Sequence, residues 1–80
     1  MDETNVRSRL GEIFRDIFDD ETIQIHDAMT ARDLEDWDSL THVNLIVATE
    51  KAFDISFTTK EVQSLRNVGE FVQMILRKVS

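Results

Sequence analysis

Ser39 lies between Asp38 and Leu40 and three residues ahead of His42. A serine and a histidine three apart on a helix lie on neighbouring faces, so a nucleophile and its base is one chemistry to weigh. A hydrolase also needs a carboxylate to orient the base, an oxyanion hole and a shaped pocket. Nothing in the sequence supplies them, and His42 is expected as a solvent-exposed side chain. A metal site is equally unsupported. There is no Cys, and His26 and His42 lack the spacing of a zinc-binding helix. Asp27, Asp33, Glu35 and Asp36 do not follow the alternating pattern of a calcium loop, and no Gly lies among them. The acids are plentiful but mark no cleft that would shift their titration toward acid–base catalysis. Ser39 itself remains, and on local physics alone a serine in the first turn of a helix reads first as a simple cap. A serine hydroxyl in the first turn of a helix stands where backbone N–H groups and the helix dipole favour an attached phosphate. A phosphodiester on Ser39 is physically reasonable. Asp38 would repel it somewhat, yet could help to hold a divalent cation during attachment.

Charge is concentrated around that position. From Asp16 to Asp38 there are nine acids and one base, a charge of −8, while the rest of the chain has seven acids and eight bases, or +1. The net charge of −7 excludes a nucleic-acid partner, whose phosphates such a surface repels. It suits a patch that steers basic partner proteins toward one spot, although an acidic loop can serve solubility alone.

The elements that position Ser39 follow from periodicity. Val6, Leu10, Ile13, Phe14, Ile17 and Phe18 recur at helical spacing and predict a first helix from Thr4 to Phe18. Residues 19–38 show no sustained period. They are expected to form a long ordered loop, pinned by Ile23, Ile25, Met29 and Leu34, with a turn near Ala31–Leu34. Asp38 is a good N-cap for a second helix that starts at Ser39, with Leu40, Val43, Ile46, Val47 and Phe53 as its apolar markers, and ends near Phe53-Asp54. Leu45 and Ala48 widen its apolar surface. Thr58 to Glu61 reads as a capping box for a short helix running through Val62 to Leu65 at most. Asn67 to Glu70 opens a last helix with Phe71, Val72, Ile75, Leu76 and Val79 inward and Arg77 and Lys78 in its final turn. The expected fold is all-α: a four-helix bundle of three longer helices and one short one, with a long first loop. Eighty residues make one domain, 1–80, too small for a deep catalytic cleft. No apolar run approaches a membrane span and the polar N-terminus is unlike a signal peptide, so a cytoplasmic monomer is expected.

Asp36-Trp37-Asp38-Ser39-Leu40 resembles the attachment motif of acyl carrier proteins, in which an Asp-Ser-Leu triplet opens the second helix. The resemblance continues through Val43, Leu45, Glu50, Phe53-Asp54-Ile55, the Thr58–Val62 segment, Asn67-Val68 and the last amphipathic helix. It implies a carrier, not an enzyme. A phosphopantetheinyl transferase would move 4′-phosphopantetheine from coenzyme A to Ser39, and the thiol of that arm would hold acyl cargo as a thioester. Partners would then be acyl-loading, chain-extending or acyl-transfer enzymes with basic patches. Asp36, Trp37, Asp38, Leu40, Val43 and Glu50 are the contact candidates, although Trp37 reads first as a ring packed over the loop–helix junction. Leu45, Thr49, Phe57, Leu65 and Phe71 are the candidate lining of an acyl pocket. The chain departs from the family where His42, Asn44, Lys51 and Ala52 replace frequent acids of the second helix. Thr49 and Phe71 replace Leu or Ala of the pocket, which implies short or polar cargo. Two further readings stay open: a peptidyl or aminoacyl carrier, and a helical adaptor without a prosthetic group.

Overall fold

The computed structural model describes residues 2–34 and 37–79. Its elements are α1 (Glu3–Ile17), α2 (Ser39–Phe53), α3 (Thr59–Ser64) and α4 (Val68–Val79), with no strand among the described residues. α1 starts one residue earlier than its apolar period suggests because Asp2 caps it, the carboxylate accepting the Asn5 N–H at 2.8 Å. It stops at Ile17 because Asp19 takes a left-handed conformation, φ 51°. α2 ends in the same way at Asp54, φ 55°. The Thr58–Glu61 box is fully formed. Of the box that opens α4, the Asn67 arm is formed, its side-chain oxygen accepting the Glu70 N–H at 2.8 Å.

The core is built from Val6, Leu10 and Phe14 of α1, Leu45, Ile46 and Phe53 of α2, and Val68, Phe71, Val72 and Ile75 of α4. The first loop adds Ile23 and Met29, both buried, while Ile25 and Leu34 pack at its margin. Those four loop residues are the ones expected to pin it. The expected turn also forms: the Asp33 N–H donates to Thr30 O at 3.0 Å, and Asp33 accepts the Thr30 N–H at 2.8 Å.

Polar ties finish the loop. Arg15 donates to Ile23 O at 3.0 Å, and Arg7 bonds Asp27 at 2.6 Å. The loop then closes over the start of α4, where the Val68 N–H donates to Met29 O at 2.9 Å and the Gly69 N–H to Asp27 O at 3.0 Å. The approach is tight: a Cβ on Gly69 would stand 3.1 Å from the Asp27 side chain and 3.2 Å from its carbonyl oxygen. Many acids that looked like a free patch are thus engaged in organising the loop. Asp20 accepts both the Thr22 hydroxyl and its N–H, Asp27 faces Arg7, and Asp33 closes the turn.

Candidate functional site

Asp38 is extended, φ −105°, and its carboxylate accepts the Thr41 N–H at 2.9 Å while its carbonyl accepts from the His42 N–H. The capping role therefore belongs to Asp38. Ser39, the first residue of α2, is exposed, and its hydroxyl has no hydrogen-bond partner among the described residues. An uncommitted hydroxyl at the positive end of a fifteen-residue helix is the arrangement that phosphate attachment requires.

A cleft of about 650 Å³ opens beside it, walled by Trp37, His42, Val43, Val62, Leu65 and Arg66 among others. Trp37 is half-buried, edge-on to Phe14 with ring centroids 5.3 Å apart and to Phe18 at 6.3 Å. The ring is thus packed over the loop–helix junction. His42 corrects its expected exposure. It is half-buried, stacks on Trp37 at 6.1 Å, accepts the Trp37 Nε1–H on Nδ1 at 3.2 Å, and sets Nε2 3.4 Å from Val62 O. The reason is local: the loop folds Trp37 back onto the helix that follows it.

The apolar markers of α2 divide between two faces. Ile46 and Phe53 face the core with Leu45 and Thr49, whereas Leu40 is 71% exposed, Val43 53% and Val47 42%. Leu40, Val43 and Val47 follow the i, i+3, i+7 spacing of one face, and Lys51 is the basic residue of the last turn. Leu40 and Val43 were expected at a partner surface; Val47 extends the row, and its i+4 step from Val43 was the signal for it. Glu50 is half-buried and accepts the Phe57 N–H at 2.9 Å, so its carboxylate already holds the segment after α2. Asp36 lies outside the described residues.

The five pocket candidates differ in burial. Leu45, Thr49 and Phe71 are fully buried, and the Thr49 hydroxyl donates to Leu45 O at 2.7 Å. Phe57 is half-buried, edge-on to Phe71 at 6.0 Å, with Lys78 Nζ 5.5 Å above its ring. Of the five, Leu65 lines the cleft beside Ser39. Arg66 also lines it and is exposed, with no carboxylate paired to it among the described residues. The exposed hydroxyl, the open cleft and this cation together fit a phosphate-linked arm.

The Thr41 backbone N–H, followed by its hydroxyl, holds the Asp38 carboxyl below its ordinary value of 3.8. The Thr58 backbone N–H, with Lys78, does the same for Glu61 against 4.5. Both groups bind protons more tightly in the unfolded chain, so their stabilisation is present above the ordinary values and lost as pH falls through the lower native ones. Chemical denaturation followed from about pH 5 down to about pH 3 should show falling midpoints. Asp38→Asn keeps a capping oxygen without a titrating carboxyl and should flatten part of that slope.

Among the described residues no helix is long and apolar enough to cross a membrane, and no three His, Asp or Glu side chains group as a metal site. The family model of the phosphopantetheine attachment site matches residues 8–75. Among solved structures, the holo acyl carrier protein of Geobacter metallireducens is similar over 92% of this chain and 85% of that one, with 39% identity and a TM-score of 0.88. A Mycobacterium tuberculosis protein described as an acyl carrier protein superposes with a TM-score of 0.81 over 90% of this chain and 96% of that one; at 21% identity it speaks to the fold. No protein of curated function matches significantly. The attachment-site match over most of the chain and the 39% identical relative establish that this chain belongs to the acyl carrier protein family, carriers rather than enzymes whose prosthetic group is a covalently attached phosphopantetheine.

Proposed function

We propose that Ser39 is the attachment residue and that the chain carries acyl groups as thioesters between enzymes of a specialised fatty-acid or polyketide-type pathway in the cytoplasm. The observation that carries the assignment is the Ser39 hydroxyl: exposed, without a hydrogen-bond partner among the described residues, and relieved of capping by Asp38. Esterification replaces the Oγ–H bond with an Oγ–P bond, the pyrophosphate link of coenzyme A breaks, the adenosine bisphosphate half leaves, and the hydroxyl proton passes to solvent. The first N–H groups of α2 and the Arg66 cation favour the new phosphodiester charge. The arm supplies a terminal thiol, which a cysteine-free chain lacks. Incubation with coenzyme A, magnesium and a promiscuous phosphopantetheinyl transferase should add the mass of one arm. A chain that stays unmodified under those conditions sinks the proposal and favours the adaptor reading.

Partner enzymes meet this carrier at the start of α2. Leu40 and Val43, continued by Val47, form an exposed apolar row with no acid in the first turn of the helix. Trp37 contributes through the shape of the loop, and Glu50 by holding the chain after α2. The acids before Ser39, Asp36 and Asp38 among them, steer basic patches from a distance. The carrier acts as a monomer.

The cargo is short or polar. Phe71 fills the interior between the helices, and Leu45 and Thr49 pack with it at full burial. A long chain would have to displace these side chains from a close-packed core. Mass spectrometry of the protein from its native host should show short or polar acyl groups; mainly long saturated chains would refute this. Aminoacyl or peptidyl loads would instead support the neighbouring carrier class.

A further inference from the structure

The contacts of His42 show more than packing. Indole nitrogen can only donate a hydrogen bond, so the 3.2 Å contact from Trp37 Nε1 requires a lone pair on His42 Nδ1. The ring proton is then on Nε2, which faces the Val62 carbonyl at 3.4 Å. The neutral ring in this one tautomer joins three parts of the molecule: the end of the first loop, α2 and α3. All three wall the cleft beside Ser39, and Trp37, His42 and Val62 all line it.

We propose that His42 is a positioning residue, a clasp that holds Trp37 and α3 in place around the cleft at the root of the arm and releases Trp37 when its ring gains a second proton. With both nitrogens protonated, Nδ1–H meets Nε1–H, donor against donor, and the bond to Trp37 cannot persist. Among the described residues the charged groups around the ring are few. Asp38 and Arg66 line the same cleft with opposite signs. Glu61, beside Val62 on α3, is occupied by the Thr58 N–H and by Lys78. On the α1 side, the contacts to Trp37 are the neutral rings of Phe14 and Phe18.

Trp37 is the single Trp in a chain without Tyr, which makes it a clean reporter. In the apo protein, Trp37 emission and exchange of its Nε1 proton are followed from about pH 8 to about pH 5.5. One transition is expected, below which the Nε1 proton exchanges about tenfold faster. It should persist in His26→Asn. It should vanish in His42→Asn, which keeps an acceptor oxygen near the Nδ1 position but gains no proton. A transition that survives in His42→Asn, or an Nε1 proton equally protected across the range, overturns the clasp. A second readout compares arm loading of wild type and His42→Asn by one transferase; taking the ratio cancels the enzyme's own pH profile. The ratio should fall several-fold from the upper to the lower pH, and a constant ratio overturns the positioning role. That readout rests on Ser39 being the attachment residue, whereas the fluorescence and exchange experiment does not. Failure of both proteins to load would therefore strike the carrier assignment and leave the clasp to its own test.

Discussion

Ser39→Ala abolishes arm loading completely and leaves the fold intact. The two halves of this expectation have separate physical sources. With Ser39 as the proposed attachment residue, loading requires its hydroxyl, and Ala has none. Stability is spared because the cap is Asp38, whose carboxylate holds the Thr41 N–H at 2.9 Å, and because Ala is the best helix former. The measurement pairs intact-protein mass after transferase treatment with circular dichroism of the same sample. A mass gain in the variant would move the attachment to another hydroxyl. A loss of helicity would mean that Ser39 supports the fold, and the clean separation of cap from attachment residue would fail.

Phe14→Ala is the largest expected loss of stability. Phe14 is fully buried and touches both Phe18 and Trp37, so its ring joins α1 to the end of the first loop. Truncating a buried Phe costs about 3–5 kcal/mol. A domain of eighty residues has roughly 4–12 kcal/mol in total at ~0.05–0.15 kcal/mol per residue. The variant should lose much of its stability, melting well over 10 °C lower at roughly 4–8 °C per kcal/mol. Trp37 emission should shift to the red as its shelter goes. A melting temperature within about 4 °C of wild type would show that the site collapses around the deletion, and that Phe14 does not anchor the loop as argued.

How much of this was legible in the sequence depends on where each signal is stored. Val6, Leu10 and Phe14 were plain because a helix with one buried face writes its period into the chain. α2 was harder: Leu40, Val43 and Val47 lie on its outer face and Leu45, Ile46 and Phe53 on its inner one, so one apolar count merged two surfaces. The order of the loop was inferred from scattered apolar residues, but its means were hidden. The carbonyls of Asp27 and Met29 bond amides of Gly69 and Val68, some forty residues away, and backbone groups leave no mark on side-chain patterns. His42 was misjudged for a similar reason, since nothing in residue type announces that Trp37 folds back onto it. Thr49 was read as a polar group at a pocket, and the partner of its hydroxyl, the Leu45 carbonyl of its own helix, is again a backbone group that residue type does not announce.

The seam between the first loop and α4 has a consequence for where the molecule opens. It is held by two main-chain bonds, the Arg7–Asp27 pair and a crossing at which a Cβ on Gly69 would stand 3.1 Å from Asp27. α3, by contrast, is six residues long with none of them buried, and it is held by the Glu61–Lys78 ion pair and by His42 at the Val62 carbonyl. Local opening therefore costs less at α3 than at the seam, because few buried contacts hold the short helix.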